Sequence, residues 1–343
     1  MPEPGNTIGG RIDSPVTEVV EESVDPGFFG QGDEFGAAAV EAAPAPRKRK
    51  GLGFGAWLAI GWLVFIVGVA VLAKFEIVTW GDPLESFTEC ARKGPFADDG
   101  SASGFLLGCD GIGREMSARL ALGAWTSLIV AVGAIGLGFL IGGSLGLTAG
   151  YFGGRVDSIL TGMFNVLLSV PAIVLALSLV AFLQGSAEQS PDKAGFFAKN
   201  PQVTLIIAIG LVAIPLVGRI SRASALSWAQ RDFVLAAKAQ GAKHGRIMIR
   251  ELLPNVAPAM FSISLLGIAI AIVAEGTLAI LGVGVKPPEP SWGNIIAQDR
   301  GSLSRFPHAI FEPSILIFMT VMALNFLGDV VRSRFDVREG GIS

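Results

Sequence analysis

The sequence predicts an all-α membrane protein with about six transmembrane helices. Of its 343 residues 51% are hydrophobic and only 16% charged, whereas a soluble domain carries about 25% charged residues. The apolar residues gather into runs close to the ~20 residues that a helix needs to cross a ~30 Å hydrocarbon core. These runs recur along the whole chain, which excludes a lone secretory signal. Basic residues collect in alternate connecting segments, the pattern of loops retained on the cytoplasmic side. The formal net charge of −3 gives no support to nucleic-acid binding.

Residues 1–50 form an acidic tail that ends in a basic cluster. Its first 46 residues carry nine carboxylates (Glu3, Asp13, Glu18, Glu21, Glu22, Asp25, Asp33, Glu34, Glu41) against Arg11, among many Gly, Pro and Ala. Such a stretch buries too little apolar area to offset chain entropy and is expected to be disordered. It reads as an inert solvated tail or as a tail that binds a partner. Arg47, Lys48, Arg49 and Lys50 stand directly before the first apolar run, Phe54 to Ala73, the core of a first transmembrane helix over 51–76. A basic cluster there puts the N terminus inside.

From Glu76 to Glu115 there are eight carboxylates against Arg92, Lys93 and Arg114, so residues 77–118 are assigned to an extracytoplasmic loop. A five-helix core over 119–333 follows, with spans near Leu120 to Ala149, Ile159 to Leu183, Val203 to Ile220, Ala257 to Val283 and Ala309 to Val331. Six spans return the tail, 334–343, to the cytoplasm. Charge supports this topology independently: Arg219 to Arg250 holds seven bases (Arg219, Arg222, Arg231, Lys238, Lys243, Arg246, Arg250) against Asp232, and Arg332, Arg334 and Arg338 follow the last span.

The two cysteines, Cys90 and Cys109, both fall on the outer loop, where an oxidising environment permits a disulfide. Closing a loop of about 20 residues would stabilise it by roughly 3 kcal/mol. Two unpaired thiols are the alternative.

The cytoplasmic segment 223–254 is patterned too regularly for a linker. Asp232 is a candidate N-cap, its carboxylate accepting free backbone N–H groups and matching the positive helix end. Phe233, Leu235, Ala236, Ala237, Ala239 and Gln240 then continue a short helix, and Gly241 can take the left-handed conformation that ends it. By residue chemistry alone this is a short amphipathic helix that either docks into a groove of another protein or lies on lipid headgroups.

Here the sequence resembles the inner-membrane permeases of ABC importers, whose shared motif reads E-A-A, three residues, Gly, nine residues, then Ile-x-Leu-Pro. Ala236, Ala237, Gly241, Leu253 and Pro254 fall on that spacing, while Leu235 replaces the Glu and Glu251 the Ile. Leu107 to Met116 is similar to the L-G-T-D-x-x-G-R-D stretch of dipeptide, oligopeptide and nickel permeases of the C-subunit type, with Cys109 and Glu115 as departures. Glu275-Gly276-Thr277-Leu278, Leu281-Gly282-Val283-Gly284 and Pro287-Pro288-Glu289-Pro290-Ser291-Trp292-Gly293 match that group too. The resemblance implies a type I ABC importer permease architecture in which the segment around Gly241 is a coupling helix. It also implies the partners: a second homologous permease, two ATP-binding cassette ATPases and an extracytoplasmic substrate-binding protein. ATP and Mg²⁺ would be bound by the ATPases. Peptides, nickel and glutathione are the substrates it brings into view.

Glu275 is the carboxylate inside the predicted fifth span, and an intramembrane ionisable group faces a partner or a cavity. It is a candidate pathway or gate residue, or a structural hydrogen bond to a neighbouring helix. The glycines between Gly133 and Gly154 let helices approach closely. Pro171, Pro215 and Pro258 can break or kink spans, and Pro171 is the candidate for a kink toward the pathway.

The chain has no G-x-x-x-x-G-K-[ST] phosphate loop, so ATP must be bound by another chain. His244 and His308 are far apart and form no metal cluster with the cysteines, and no nucleophile–base pair stands out. No catalytic, cofactor or metal residue is therefore assigned. An ion-coupled secondary transporter is the rival of another class; such proteins place several charged groups at the midplane, where this chain offers chiefly Glu275.

Overall fold

The computed structural model describes residues 53–77, 83–88, 90–91, 94–95, 106–184, 195–304 and 306–339. The acidic tail, the basic cluster Arg47 to Lys50 and part of the outer loop lie outside the described residues. The described chain is helical, with two isolated β-bridges, Ser86 to Arg114 and Cys109 to Glu115, in the outer loop.

Nine helices matter here. α1 is Phe54–Lys74, α2 Met116–Phe152, α3 Gly154–Ser169, α4 Ala172–Gln184 and α5 Pro201–Ala229. α6 is Asp232–Ala239, α7 His244–Ile280, α8 Trp292–Asp299 and α9 His308–Glu339. Five of them (α1, α2, α5, α7 and α9) are long and apolar enough to cross a bilayer, and α3 with α4 makes a sixth span if that bent pair counts as one.

The long helices exceed the predicted spans because they continue past the apolar runs. α7 starts at His244 and α5 runs to Ala229, so the segment 223–254 is the ends of two span helices with α6 between them. α9 likewise continues to Glu339, beyond the boundary expected at 333. Both α2 and α7 contain a π-turn, at Gly138–Gly142 and Ile247–Leu252. A π-turn inserts one residue per bulge and shifts the face that the following turns present.

The expected single span over Ile159 to Leu183 is two helices meeting at 85°. Val170, the residue before Pro171, is extended at ψ 131°, because the proline ring clashes with a helical conformation at that position. Pro215 and Pro258, by contrast, lie inside continuous helices.

The centre of the fold is the seam between α2 and α5. Gly142, Gly146 and Gly150, four residues apart, stand on one face of α2, where a Cβ would overlap the carbonyl oxygens of Ile214 and Gly218 and lie 2.6 Å from that of Arg222. Backbone therefore packs on backbone, the close approach that small residues permit in lipid. Ser221 Oγ pins the seam by donating to Gly143 O at 2.7 Å. Outer helices are clipped on by single bonds: Trp62 Nε1 of α1 donates to Thr320 Oγ1 of α9 at 3.2 Å, and Ser262 Oγ of α7 to Gly328 O of α9 at 3.0 Å.

Candidate functional site

α6 is the sequence-predicted docking element. Asp232 is its first helical residue; the cap position belongs to Arg231, which is extended (φ −76°, ψ 151°), and no side chain caps the helix. The N-cap role expected of Asp232 is thus corrected by one position. Its carboxylate still sits in the first turn, where it complements the helix dipole. At the other end Gly241 has φ +77°. Its N–H donates to Lys238 O at 3.0 Å and the Ala242 N–H to Ala237 O at 3.1 Å, the pairing of a Schellman motif.

The helix rests on an apolar seat. Val234 is fully buried against a cluster that includes Leu147, Val217, Ile247, Leu252 and Val256, and Ala237 and Leu253 pack at its edge. Aromatic contacts brace the flanks: Trp228 lies against Phe233 at 6.1 Å with Arg231 over the Trp228 ring. Tyr151 Oη hydrogen-bonds His244 Nδ1 at 2.8 Å, and Lys238 Nζ sits 5.1 Å from the Tyr151 ring centroid. The remaining face is open. Leu235 is 52% and Phe233 38% exposed, and Ala236, Gln240 and Pro254 are exposed beside them. The structure thus brings Phe233, Leu235, Ala236, Gln240, Gly241 and Pro254 onto one accessible end and assigns Ala237 and Leu253 to the seat.

Glu275 is elsewhere and does something else. It is 0% exposed, and each carboxylate oxygen accepts a serine hydroxyl: Ser127 Oγ to Oε2 at 3.1 Å and Ser291 Oγ to Oε1 at 2.7 Å. Ser127 Oγ also accepts the Trp292 N–H at 3.1 Å, and Ser291 Oγ the Asn294 N–H at 3.1 Å. Asn294 Oδ1 in turn accepts the Ser291 N–H, which completes a capping box at the start of α8. Trp292, fully buried, donates from Nε1 to Leu120 O at 3.1 Å. Of the two readings of Glu275, the structural hydrogen bond and the pathway role, these bonds favour the first, since both carboxylate oxygens are occupied. It is the buried latch by which α7 holds α8 and α2.

Sequence reasoning missed Ser127, Trp292 and Asn294. The Ser291-x-x-Asn294 spacing was a helix-start signal, but Ser127 lies 148 residues from Glu275 and has no local signature.

Beside the latch the outer loop is tied down. Cys90 and Cys109 are joined by a disulfide with a Cα–Cα distance of 5.8 Å. His308 Nε2 donates to Cys109 O at 3.0 Å. Asp110 Oδ1 accepts the backbone N–H groups of Ile112 and Arg114 at 3.0 and 2.9 Å, and Oδ2 takes Arg114 Nε at 2.7 Å. Arg119, fully buried, stands 3.5 Å from Asp110 Oδ2, and Arg114 Nη2 reaches Gln298 Oε1 of α8 at 2.5 Å. Burial, and after it the Asp110 carboxylate, pushes the Asp299 carboxyl above the ordinary aspartate value.

The chain matches the family described as binding-protein-dependent transport system inner membrane component over residues 142–339, which spans α6, its seat and the latch glutamate. The chain belongs to that family. Among relatives of this inner-membrane component is the dipeptide transport system permease protein DppC of Alkalihalophilus pseudofirmus, 31% identical over 79% of this chain and 84% of the relative. The glutathione transport system permease protein GsiD of Pectobacterium atrosepticum is 30% identical over 78% of this chain and 85% of the relative. A solved structure titled inward facing conformations of the MetNI methionine ABC transporter aligns at a TM-score of 0.50 and 20% identity, covering 64% of this chain and 97% of that one. That likeness concerns the fold, which is the all-α type I importer permease.

Proposed function

We propose that this permease couples to a pair of ATP-binding cassette ATPases through the exposed face of α6 and moves short peptides inward by alternating access. One observation carries the coupling role: α6 presents Leu235, Ala236 and Gln240 outward while Val234 anchors it to the ends of α2, α5 and α7. A push on such a helix is transmitted to three span helices, whereas a lipid-bound surface helix needs no rigid seat. With Leu235 in place of the motif's Glu, the contact is an apolar fit more than an ion pair. The ATPase cycle moves α6, and the attached spans switch the pathway between outward and inward openings. The 85° bend at Pro171 belongs to the helix pair that borders this pathway.

The remaining partners are a second homologous permease and a substrate-binding protein that meets the outer loop and α8. In this reading α6 and both chain termini lie in the cytoplasm. ATP and Mg²⁺ sit in the ATPases, and this chain does no covalent chemistry. Relatives named for dipeptide and glutathione transport favour a short peptide as substrate. Competition uptake with dipeptides, longer peptides, glutathione and nickel is the test of that choice; displacement by nickel alone would replace it.

The coupling role is tested by single cysteines at Ala236 or Gln240 in the assembled transporter. Crosslinking is expected to capture an ATPase, and capture of lipid alone would overturn the reading. Uptake into vesicles that persists without ATPase subunits, driven by an ion gradient, would identify a secondary transporter instead.

A further inference from the structure

We infer that Tyr151 is the positioning residue that passes the movement of α6 to α2, an inference that rests on the coupling and peptide readings above. Of the span helices that meet at the seat, two are joined to α6 by short lengths of chain. α5 ends at Ala229 and reaches α6 through Gln230 and Arg231, and α6 continues through Gln240 to Lys243 into α7. α2 has no such tether. In sequence α3, α4 and α5 lie between it and α6, and α2 itself stops at Phe152, where Gly153 and Gly154 turn the chain at φ +63° and +52°. A displacement of α6 therefore reaches α2 through side chains.

Tyr151, the last residue of α2 but one, makes those contacts. It is 8% exposed and belongs to the apolar cluster that holds Val234. Lys238, in the last turn of α6, stands with Nζ 5.1 Å from the Tyr151 ring centroid, within the range at which an aromatic face attracts a cation. Tyr151 Oη is bonded to Nδ1 of His244, the first residue of α7, at 2.8 Å. The Phe152 and His244 rings meet the tyrosine ring edge-on, with centroids 5.0 and 5.7 Å from its own. One side chain thus joins the end of α2 to the end of α6 and the start of α7.

Leu147 of α2 also lies in this cluster, but its contact is apolar and has no preferred direction. A hydrogen bond weakens steeply when its ends are misaligned. The Tyr151–His244 bond therefore resists the sliding that the apolar seat permits. With it in place, α2 and α7 shift as one body when α6 is displaced. Without it α6 still carries α5 and α7, which it holds through the chain, and α2 lags. A bond that served the fold alone would cost stability without changing how much transport each ATP yields.

The test is uptake per ATP hydrolysed by the complete transporter, reconstituted in liposomes with its binding protein and a radiolabelled dipeptide as probe. Tyr151→Phe and His244→Phe each remove the hydrogen bond and leave a ring in place. Each is expected to lower the ratio about fivefold, the scale of one net hydrogen bond, in complexes that keep their ATPases. Combining the two should lower it no further than either alone, because both delete the same bond. His244→Asn, whose side-chain oxygen can accept from the tyrosine, should retain part of the ratio. An unchanged ratio in a single Phe variant that assembles, additive losses in the double variant, or loss of the ATPases in step with the ratio overturns the inference. Failure of both single Phe variants to assemble would make the pair a fold contact and also overturn it. Crosslinking from a cysteine at Ala236 in the same complexes guards the parent readings. No ATPase captured by the unmodified transporter fails the coupling reading, and no dipeptide uptake by it fails the peptide reading. Capture and uptake with an unchanged ratio in the variants fail only the role of Tyr151.

Discussion

The two ends of the bundle are built on different principles. At the α8 end, position is held by directional bonds: the Glu275 latch, the Asp110 hub and the Cys90–Cys109 disulfide. At the α6 end it is held by apolar contact around Val234 and Ile247, with few polar ties. Directional bonds fix one geometry and fail when any member is lost. Apolar contact tolerates small sliding while it keeps the parts together. An element that must transmit motion gains from the second construction, and a platform that must keep its shape gains from the first.

The sharpest way to break this contrast is Glu275→Ala. Two buried serine hydroxyls lose their acceptor and the α8 cap loses its anchor, at ~1–3 kcal/mol for each group left unsatisfied. The thermal midpoint of the purified protein should fall more than for any other variant considered, with loss of assembly. Glu275→Gln keeps one acceptor and should fall about half as far. If either variant assembled normally but lost transport, the latch reading would yield to a pathway role. Next in size is the disulfide. Replacing Cys90 and Cys109 with Ser should cost the closed loop roughly 3 kcal/mol, seen as faster proteolysis near residues 106–115 and no change in ATPase association.

How much of this was legible beforehand depends on the range of the interactions. The spans were legible because length and hydropathy are local and lipid imposes them. α6 was legible because alanine propensity and a left-handed glycine act within one helix, although the cap fell on Arg231 rather than Asp232, the usual one-residue uncertainty of helix ends. A break at Pro171 was readable from the clash of proline with the preceding residue, but the 85° between α3 and α4 is set by their separate packing. The latch was not legible. Glu275 could be singled out as a buried charge, yet its partners Ser127 and Ser291 come from two other elements, and only tertiary contact distinguishes a satisfied carboxylate from one that lines a pathway. The extension of α5 and α7 beyond the bilayer was missed because hydropathy reports where lipid ends, while a helix ends where its backbone bonds do.

At the α6 end two neighbouring residues separate the seat from the proposed docking face. Val234→Ala removes two buried methyl groups, about 2 kcal/mol with the cavity included. It should lower the midpoint and loosen the link between ATP hydrolysis and transport. Leu235→Ala removes an exposed side chain, so the midpoint should stay within ~0.5 kcal/mol of the original while ATPase co-purification weakens. The same loss of midpoint in both variants would mean that α6 has no free face.

A small effect belongs to Asp299, and its sign is diagnostic. Its folded-state value lies above the ordinary one, first through burial and then through Asp110. The folded protein therefore holds the proton more tightly than the unfolded chain. Stability from this group is fully present below the ordinary aspartate range and is lost as pH rises through the folded value. Asp299→Asn keeps an oxygen able to accept the Gly111 N–H that now bonds the carboxylate, and it removes the repulsion by Asp110. At neutral pH it should raise the midpoint slightly, by no more than ~1 kcal/mol, and flatten the decline with rising pH. A lower midpoint at neutral pH would mean that attraction to Arg114 and Arg119 outweighs burial, and that the platform is held together by its ion pairs rather than in spite of its excess carboxylate.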